Sequence, residues 1–405
     1  ASGESGYRVR LLNYREKSGS FQLRPGGGET TIEMVQLPLR TVNIIGLQRR
    51  DGLQITEDLA YSVEGRPESG RGANGSVTLQ LPADSAYKVR IGSWGYYPRT
   101  VSIAASDAIG PVEVMLETGY FDDASLDLGW TFGDESDDGV AGQWERVQTV
   151  GVAINFNNSV VRTEPGVDGG AEVGGFAFMT DGASRPGEQP GSTDIDSGAV
   201  TLTSPIFDLT EFEDLRLTPT ISFSLWYSND AAPFFTADDN LYIRLSYDGG
   251  DTWEDVLSVG SGSDGWEVRG FMANKEPTDR MLFRIVAADS GAQGWTEAAL
   301  DDFEVGYSSN VSGTTVDDGL DAQLFSRDLH GTARLQLASE NGPATITVDL
   351  YDGLGRRIRT VFEGQVGAGT TVLPIERSDL AQGAYHLVLR TETGALVRMP
   401  LIVQR

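Results

Sequence analysis

The sequence predicts an all-β chain of three tandem β-sandwich domains, the central one a jelly roll. Short runs such as Leu241-Tyr-Ile-Arg-Leu-Ser-Tyr247 and Met281-Leu-Phe-Arg-Ile-Val286 alternate apolar and polar residues, placing one strand face on a core and the other in water. The 50 glycines and 16 prolines, with many Asp and Asn residues, break the chain into such short runs. Its 405 residues exceed one ordinary core, since domains hold roughly 100–200 residues each.

Residues 1–36 form an N-terminal arm. Tyr7-Arg-Val-Arg-Leu-Leu12 and Thr30-Thr-Ile-Glu-Met-Val35 read as strands, with a turn at Pro25-Gly-Gly-Gly28. Tyr7, Val9 and Leu11 share one face, which is expected to complete the first domain's own sheet. The alternative is pairing with the edge of a neighbouring subunit, giving a homo-oligomer by strand addition. Residues 37–118 carry strands at Thr41–Ile45, Ser76–Leu81, Tyr87–Ile91, Thr100–Ile103 and Val112–Leu116, with turn chemistry at Asn74-Gly75 and Pro82–Ser85. The central domain covers 119–307, with further runs at Val200–Ile206 and Ile221–Tyr227. Residues 308–332, polar and rich in Ser, Thr, Asp and Gly, read as a linker. Strands return over 333–405.

A net charge of −28 disfavours nucleic acid, whose phosphates would meet repulsion over most of the surface. Lys17, Lys88 and Lys275 are the only lysines, so 28 of the 31 basic side chains are arginine. Acidity with little lysine suits work in concentrated salt, where the Debye length falls to about 3 Å. A GC-rich genome, or the solvated surface of a secreted protein, gives the same composition. No run reaches the roughly 20 apolar residues that cross a bilayer, so membrane insertion is not expected. Without cysteine there are neither disulfides nor thiolate metal sites. A start at Ala1 fits a processed mature chain or a piece of a longer one.

Three resemblances add to this reading. Asn74-Gly-Ser-Val-Thr-Leu-Gln-Leu-Pro82, Tyr87-Lys-Val-Arg-Ile91 and Gly95-Tyr96 resemble the regulatory-like, transthyretin-like domain of carboxypeptidases, an accessory sandwich. Gly129-Trp-Thr131, Gly142-Gln-Trp-Glu145, Thr193–Gly198, Leu202–Pro205 and Thr296–Phe303 resemble the MAM-like or carbohydrate-module-like jelly rolls of secreted bacterial proteins. Val348-Asp-Leu-Tyr-Asp-Gly-Leu-Gly-Arg356, Leu380-Ala-Gln-Gly-Ala-Tyr385 and the last strand resemble the type A C-terminal sorting domain of type IX secretion cargo, which implies the type IX secretion machinery as partner. Arg398 stands where lysine is frequent there, and Pro400 interrupts the last strand, as an edge strand tolerates.

The jelly-roll resemblance implies a structural calcium shared by the first and last strands, with Asp122 or Asp123 and Asp301 or Asp302 as ligands. Asp194 and Asp196, alternating in a Gly-rich loop, are further candidates. Calcium needs about six to eight oxygens at roughly 2.3–2.6 Å, so such carboxylates must converge from different strands. Asp is also a frequent turn residue in this chain. Ser246-Tyr-Asp-Gly-Gly-Asp-Thr-Trp253 resembles a sialidase Asp-box, a hairpin that buries its Trp; one copy makes no propeller.

No catalytic set emerges. The two histidines, His330 and His386, have no Gly-x-Ser-x-Gly context, and no phosphate-cradling loop is present. Glu297, beside the Asp pair, belongs to the motif of the jelly rolls it resembles. The expectation is a non-catalytic exported protein of the outer cell surface, acting in adhesion or as a subunit of an extracellular layer or fibre. The alternatives are the accessory C-terminal region of a secreted peptidase, or a carbohydrate-binding module engaging a surface glycan through Trp94, Tyr96, Trp226 or Trp253.

Overall fold

A computed structural model describes residues 3–23, 30–83, 85–105, 110–156, 159–162, 164–170, 175–182, 194–210, 218–229, 239–260, 265–289, 295–308, 320–326, 333–339, 344–352, 354–367, 369–375, 380–381, 383–392 and 396–403. The named elements are all strands, as the alternation predicts. They fall into two compact units: residues 1–93 with 98–117, and residues 94–97 with 118–405.

The first unit contains β1 (Gly3–Val9), β2 (Lys17–Leu23), β3 (Leu39–Gln48), β4 (Leu59–Val63), β5 (Ser69–Gly72), β6 (Ser76–Pro82), β7 (Tyr87–Ser93), most of β8 (Tyr96–Ile103) and β9 (Val112–Leu116). Three strands form the sheet β6-β3-β9 and four form β5-β4-β7-β8, with β3 and β9 parallel. On β6, Val77, Leu79 and Leu81 are buried while Thr78 and Gln80 are exposed, the two-residue period of a half-buried strand.

The N-terminal arm departs from expectation. β1 does not complete the domain's sheet but pairs with β2 in a separate two-stranded ribbon, seven residues in continuous register. Residues 30–35 form no strand. Their neighbourhood spends its backbone hydrogen bonds on the 13–15 turn, where Val35 accepts from Arg15 N–H and Leu37 N–H donates to Asn13.

The second unit opens with β10 (Tyr120–Asp122), β11 (Thr131–Phe132), β12 (Trp144–Gln148), β13 (Ala153–Phe156), β14 (Ser159–Arg162), β15 (Phe176–Thr180), β16 (Gly198–Thr203), β17 (Thr218–Ser228), β18 (Leu241–Ser246), β19 (Glu254–Val259), β20 (Glu267–Met272), β21 (Leu282–Asp289) and β22 (Glu297–Ser308). One sheet runs β12-β15-β22-β17-β20 with β10 also on β22; the other runs β11-β16-β21-β18-β19. They enclose one core, to which the first sheet brings Phe178, Ile221, Phe223, Leu225, Leu300 and Phe303. The second sheet brings Val200, Leu202, Ile243, Leu245, Phe283 and Ile285. This is the two-layer sandwich expected of the central domain.

The chain ends in β23 (Leu320–Ser326), β24 (Ala333–Ser339), β25 (Ala344–Asp352), β26 (Arg357–Val366), β27 (Gly369–Ile375), β28 (Gly383–Thr391) and β29 (Leu396–Val403). The sheets β23-β24-β27 and β26-β25-β28-β29 bury a core of their own that includes Leu335, Leu337, Ile346, Val348, Leu350, Leu387 and Leu389. β23 corrects the linker reading of 308–332: residues 320–326 pair along their whole length with β24, and Leu320, Ala322 and Leu324 alternate with Asp321 and Gln323. Pro400 lies on β29, an edge strand, where its missing N–H is tolerated.

Candidate functional site

Acidic side chains converge at one end of the jelly roll. Asp194, Asp196 and Asp289 each offer a carboxylate oxygen, and these oxygens all lie within 4.8 Å of one another. Buried Ile195 anchors the loop, its N–H donating to Thr296 at 3.0 Å. The Asp196 carbonyl takes the Val140 N–H at 2.9 Å. Gly142 makes this close approach possible, because a Cβ there would stand 2.5 Å from the Ile195 Cα. Asp289 ends β21 and is brought in by register, opposite Gly198 of β16.

Asp194 and Asp289 are each only 4% exposed, and Asp196 is half-buried. Burial pushes the Asp194 carboxyl up to about 6, against the pull of its own backbone N–H, and Asp196 and Asp289 raise it further. Glu297 lies close enough to feel this charge. Burial raises it well above the carboxylate range, Glu164 adds to that, Thr180 Oγ1 donates to it at 2.9 Å, and Asp194 and Asp181 raise it again. A partly desolvated set of three carboxylates drawn from a loop and a strand end is the all-oxygen donor chemistry that fits a hard cation such as calcium.

Asp122, Asp123, Asp301 and Asp302 come together elsewhere, where β10 pairs with β22 and Asp122 stands opposite Phe303. Asp122 accepts from Trp130 Nε1 at 2.9 Å and from Ala124 N–H at 2.8 Å. Asp301 accepts from Gly169 N–H at 2.8 Å and Asp302 N–H at 2.7 Å. Burial, then the charge of the adjacent carboxylate, pushes each of Asp122 and Asp301 up to about 8. Asp123 holds the Ser125 N–H at 3.2 Å. Asp302, at a positive φ of 49° opposite a register shift in β17, accepts from Ser224 Oγ at 3.2 Å. In both buried carboxyls each oxygen already accepts an N–H.

Three of the four aromatic platform candidates face cores. Trp94 stacks on Phe303 at 5.9 Å and donates its indole N–H to the Ile206 carbonyl at 2.7 Å. Tyr96 is buried, and Trp226 packs edge-on against Trp266 at 6.2 Å. Trp253 is half-buried under the Arg284 guanidinium, 3.9 Å away. The Asp-box resemblance implies a buried Trp, and this ring is only partly covered; in the turn before it Asp248 accepts from Thr252 N–H at 2.9 Å and from the Thr252 hydroxyl at 2.6 Å.

A patterned surface that the sequence reading missed lies on the outer face of the five-stranded sheet. Leu241, Ile243 and Leu245 point into the core, so Tyr242 and Arg244 point out. Register aligns Thr203, Arg284, Arg244 and Asp255 in one row across four strands, with Tyr242 in the next row between Val286 and Ser258. Arg284 donates to Thr203 Oγ1 at 3.0 Å and to Asp134 at 2.8 Å, and Arg244 to Asp255 at 2.6 Å. Arg244 also lies 5.6 Å from the Tyr242 ring centre. His386 is exposed on β28, and His330 lies outside the described residues.

The class these features define is that of tandem β-sandwich proteins. No family model matches the chain, and no curated protein matches it. Solved structures overlap it only loosely. TmCBM61 in complex with β-1,4-galactotriose has a TM-score of 0.21 at 13% identity over 40% of this chain and 86% of that one. The N-terminal CBM22-1-CBM22-2 tandem domain of Paenibacillus barcinonensis Xyn10C gives 0.22 at 11% identity over 68% and 92%. The glycoside hydrolase domain of Endo-D from Streptococcus pneumoniae R6 gives 0.21 at 13% identity, with 67% of this chain covering 37% of that one. Carbohydrate-binding modules are thus among its structural neighbours, but overlaps this loose transfer neither ligand nor chemistry. The sandwich architecture rests on the sheet pairing itself.

Proposed function

We propose that this chain is a non-catalytic protein of the outer cell surface that engages carbohydrate through the Tyr242–Arg244 side of its jelly roll, as an adhesive module. The row Thr203-Arg284-Arg244-Asp255 with Tyr242 beside it carries the reading. Arg244, held by Asp255, is a planar donor fixed beside the Tyr242 phenol ring, which offers an apolar face to the C–H side of a sugar, while Arg284, packed against Trp253 and bound to Asp134 and Thr203, braces the row. Trp94, Tyr96 and Trp226 are left to packing.

Calcium, held by Asp194, Asp196 and Asp289, would supply structural charge neutralisation that ties the 194–197 loop to β21. Export by the type IX machinery rests on the C-terminal motifs, whose residues here hold their module together. Buried Asp349 accepts from Arg357 at 2.8 Å and Arg390 at 2.6 Å, and the Tyr385 hydroxyl donates to the Ala381 carbonyl at 2.8 Å.

A glycan array probed with the wild-type chain and the Tyr242→Ala/Arg244→Ala variant tests the ligand face. Binding lost at least tenfold in the variant, with an unchanged melting temperature, is expected. No binding by the wild-type chain removes carbohydrate as the ligand, and cleavage of a bound glycan or peptide removes the non-catalytic reading.

A further inference from the structure

The β1–β2 ribbon shares no strand pairing with any sandwich sheet. Among the described residues its strands pair only with each other, and the antiparallel register Gly3↔Leu23 to Val9↔Lys17 runs without a bulge. Neither strand contains proline. Two strands alone are marginal in water, and an unblocked edge is a template for another strand. At about 3.4 Å per residue each edge is roughly 24 Å long. Cross-strand packing gives the ribbon local rigidity: the Tyr7 ring lies over Gly19, where a Cβ would meet its hydroxyl at 2.7 Å, and it reaches Phe21 at 6.5 Å. At its foot Leu11, Leu12 and Val35 are 54%, 45% and 64% exposed.

The ribbon's charge opposes that of the chain. Residues 3–23 carry four cations, Arg8, Arg10, Arg15 and Lys17, against two carboxylates, Glu4 and Glu16, a balance of +2 on a chain of −28. Arg8 and Arg10 share the one carboxylate of Glu16 in ion pairs that remain largely exposed, so one negative charge offsets two positive ones and the surplus faces solvent.

We propose that the β1–β2 ribbon is an assembly arm that docks by strand addition onto an acidic sheet edge of a second copy of this chain. The unpaired backbone supplies the hydrogen bonds, Tyr7, Phe21 and the apolar foot supply burial, and the +2 arm finds its complement in the acidic remainder of a neighbour. The arm on one copy and the edge on another are different surfaces, so the contact is head-to-tail and forms rings or filaments rather than closed two-fold dimers. The arm does not rest on the carbohydrate reading.

Sedimentation velocity of the full chain over a concentration series tests the arm, with wild type, Arg8→Glu/Lys17→Glu and a deletion of residues 3–23 compared at low and at 1 M NaCl. In wild type the mass is expected to rise with concentration. Association should weaken several-fold at 1 M, where the Debye length is about 3 Å, fall at least tenfold in the charge-reversal variant and vanish in the deletion. Circular dichroism checks that each variant folds; the charge-reversal pair, confined to exposed side chains, keeps the test open should the deletion not fold. A wild-type chain that stays monomeric at every concentration, or folded variants that associate as wild type does, overturns the proposal.

Discussion

The Arg284 guanidinium lies 3.9 Å from the Trp253 ring centre, joining the β18–β19 hairpin to β21, the middle strand of the five-stranded sheet. Gly249 and Gly250 let the hairpin turn at positive φ, and Trp253 supplies the surface on which Arg284 is aimed toward Thr203 and Asp134. Trp253→Ala is therefore expected to destabilise the jelly roll by about 2–3 kcal/mol and to weaken glycan binding. Trp253→Phe should restore much of both. Urea melts and titration calorimetry on the two variants check this.

The carboxylate trio predicts a metal dependence tied to pH. Asp194, at about 6, must lose its proton before a cation can bind, so protons and calcium compete. Added calcium should raise the melting temperature more at pH 7.5 than at pH 5, by an amount equivalent to about 2.7 kcal/mol at a hundredfold excess over Kd. The uplift should disappear in Asp194→Asn/Asp289→Asn. Scanning fluorimetry with EDTA and calcium measures it, and an identical uplift in the double variant would exclude the trio as the site.

Without divalent cations, Asp122 and Asp301 set a second dependence. Both carboxyls stand at about 8 in the fold against an ordinary 3.8, so the folded chain holds these protons more tightly than the unfolded one. Their favourable contribution is full below pH 3.8 and is lost as pH climbs through 8. In EDTA the jelly-roll transition should fall from about pH 5 to about pH 8 and level off above it, and a flat or rising profile over that interval in calorimetry would contradict the assignment.

Trp94 ties residues 94–97 into the jelly-roll core through Tyr120, Trp130, Phe207 and Phe303. Trp94→Ala removes these contacts and leaves the Ile206 carbonyl without its indole donor. A loss of about 3 kcal/mol or more is expected from chemical denaturation followed by Trp fluorescence.

In the C-terminal module Asp349 is buried and would be raised by that burial, yet hydrogen bonds from Thr360, Arg390 and Arg357 hold it below the ordinary value. Asp349→Ala removes a buried carboxylate with three hydrogen-bonded partners, whose arginines still reach water, and should lower the module's stability by about 1–2 kcal/mol. Differential scanning calorimetry of the full chain would show the shift in the transition of this module.

What could be read from the sequence was local. β18 and β21 were visible because alternation is a property of neighbouring residues, and Asp194 and Asp196 because they alternate in one loop. Asp289 was not visible: only the pairing of Gly198 with Asp289 across two strands distant in sequence brings it to the trio. The same register made the row Thr203-Arg284-Arg244-Asp255, which no single segment shows. β2 was missed because Lys17-Ser-Gly-Ser-Phe-Gln-Leu23 has little apolar alternation, and β23 because its polar, Gly-rich surroundings resemble a flexible connection. Whether Trp94, Tyr96 and Trp226 would pack or present a platform was not legible, because alternation does not say which face of a strand a ring will occupy.

The placement of β22 bears on the order in which this chain can fold. Its twelve residues take β17 along one edge and both β10 and β15 along the other, so Tyr120 is matched with Val305 across nearly the whole domain. A polypeptide threading out of a narrow exit N-terminus first would present β10, β15 and β17 before the strand that joins them has emerged. The jelly roll is therefore expected to close only after β22 is available, through a slow, long-range search. Any shortening that removes residues 297–305 should leave an open, aggregation-prone intermediate rather than a smaller native domain.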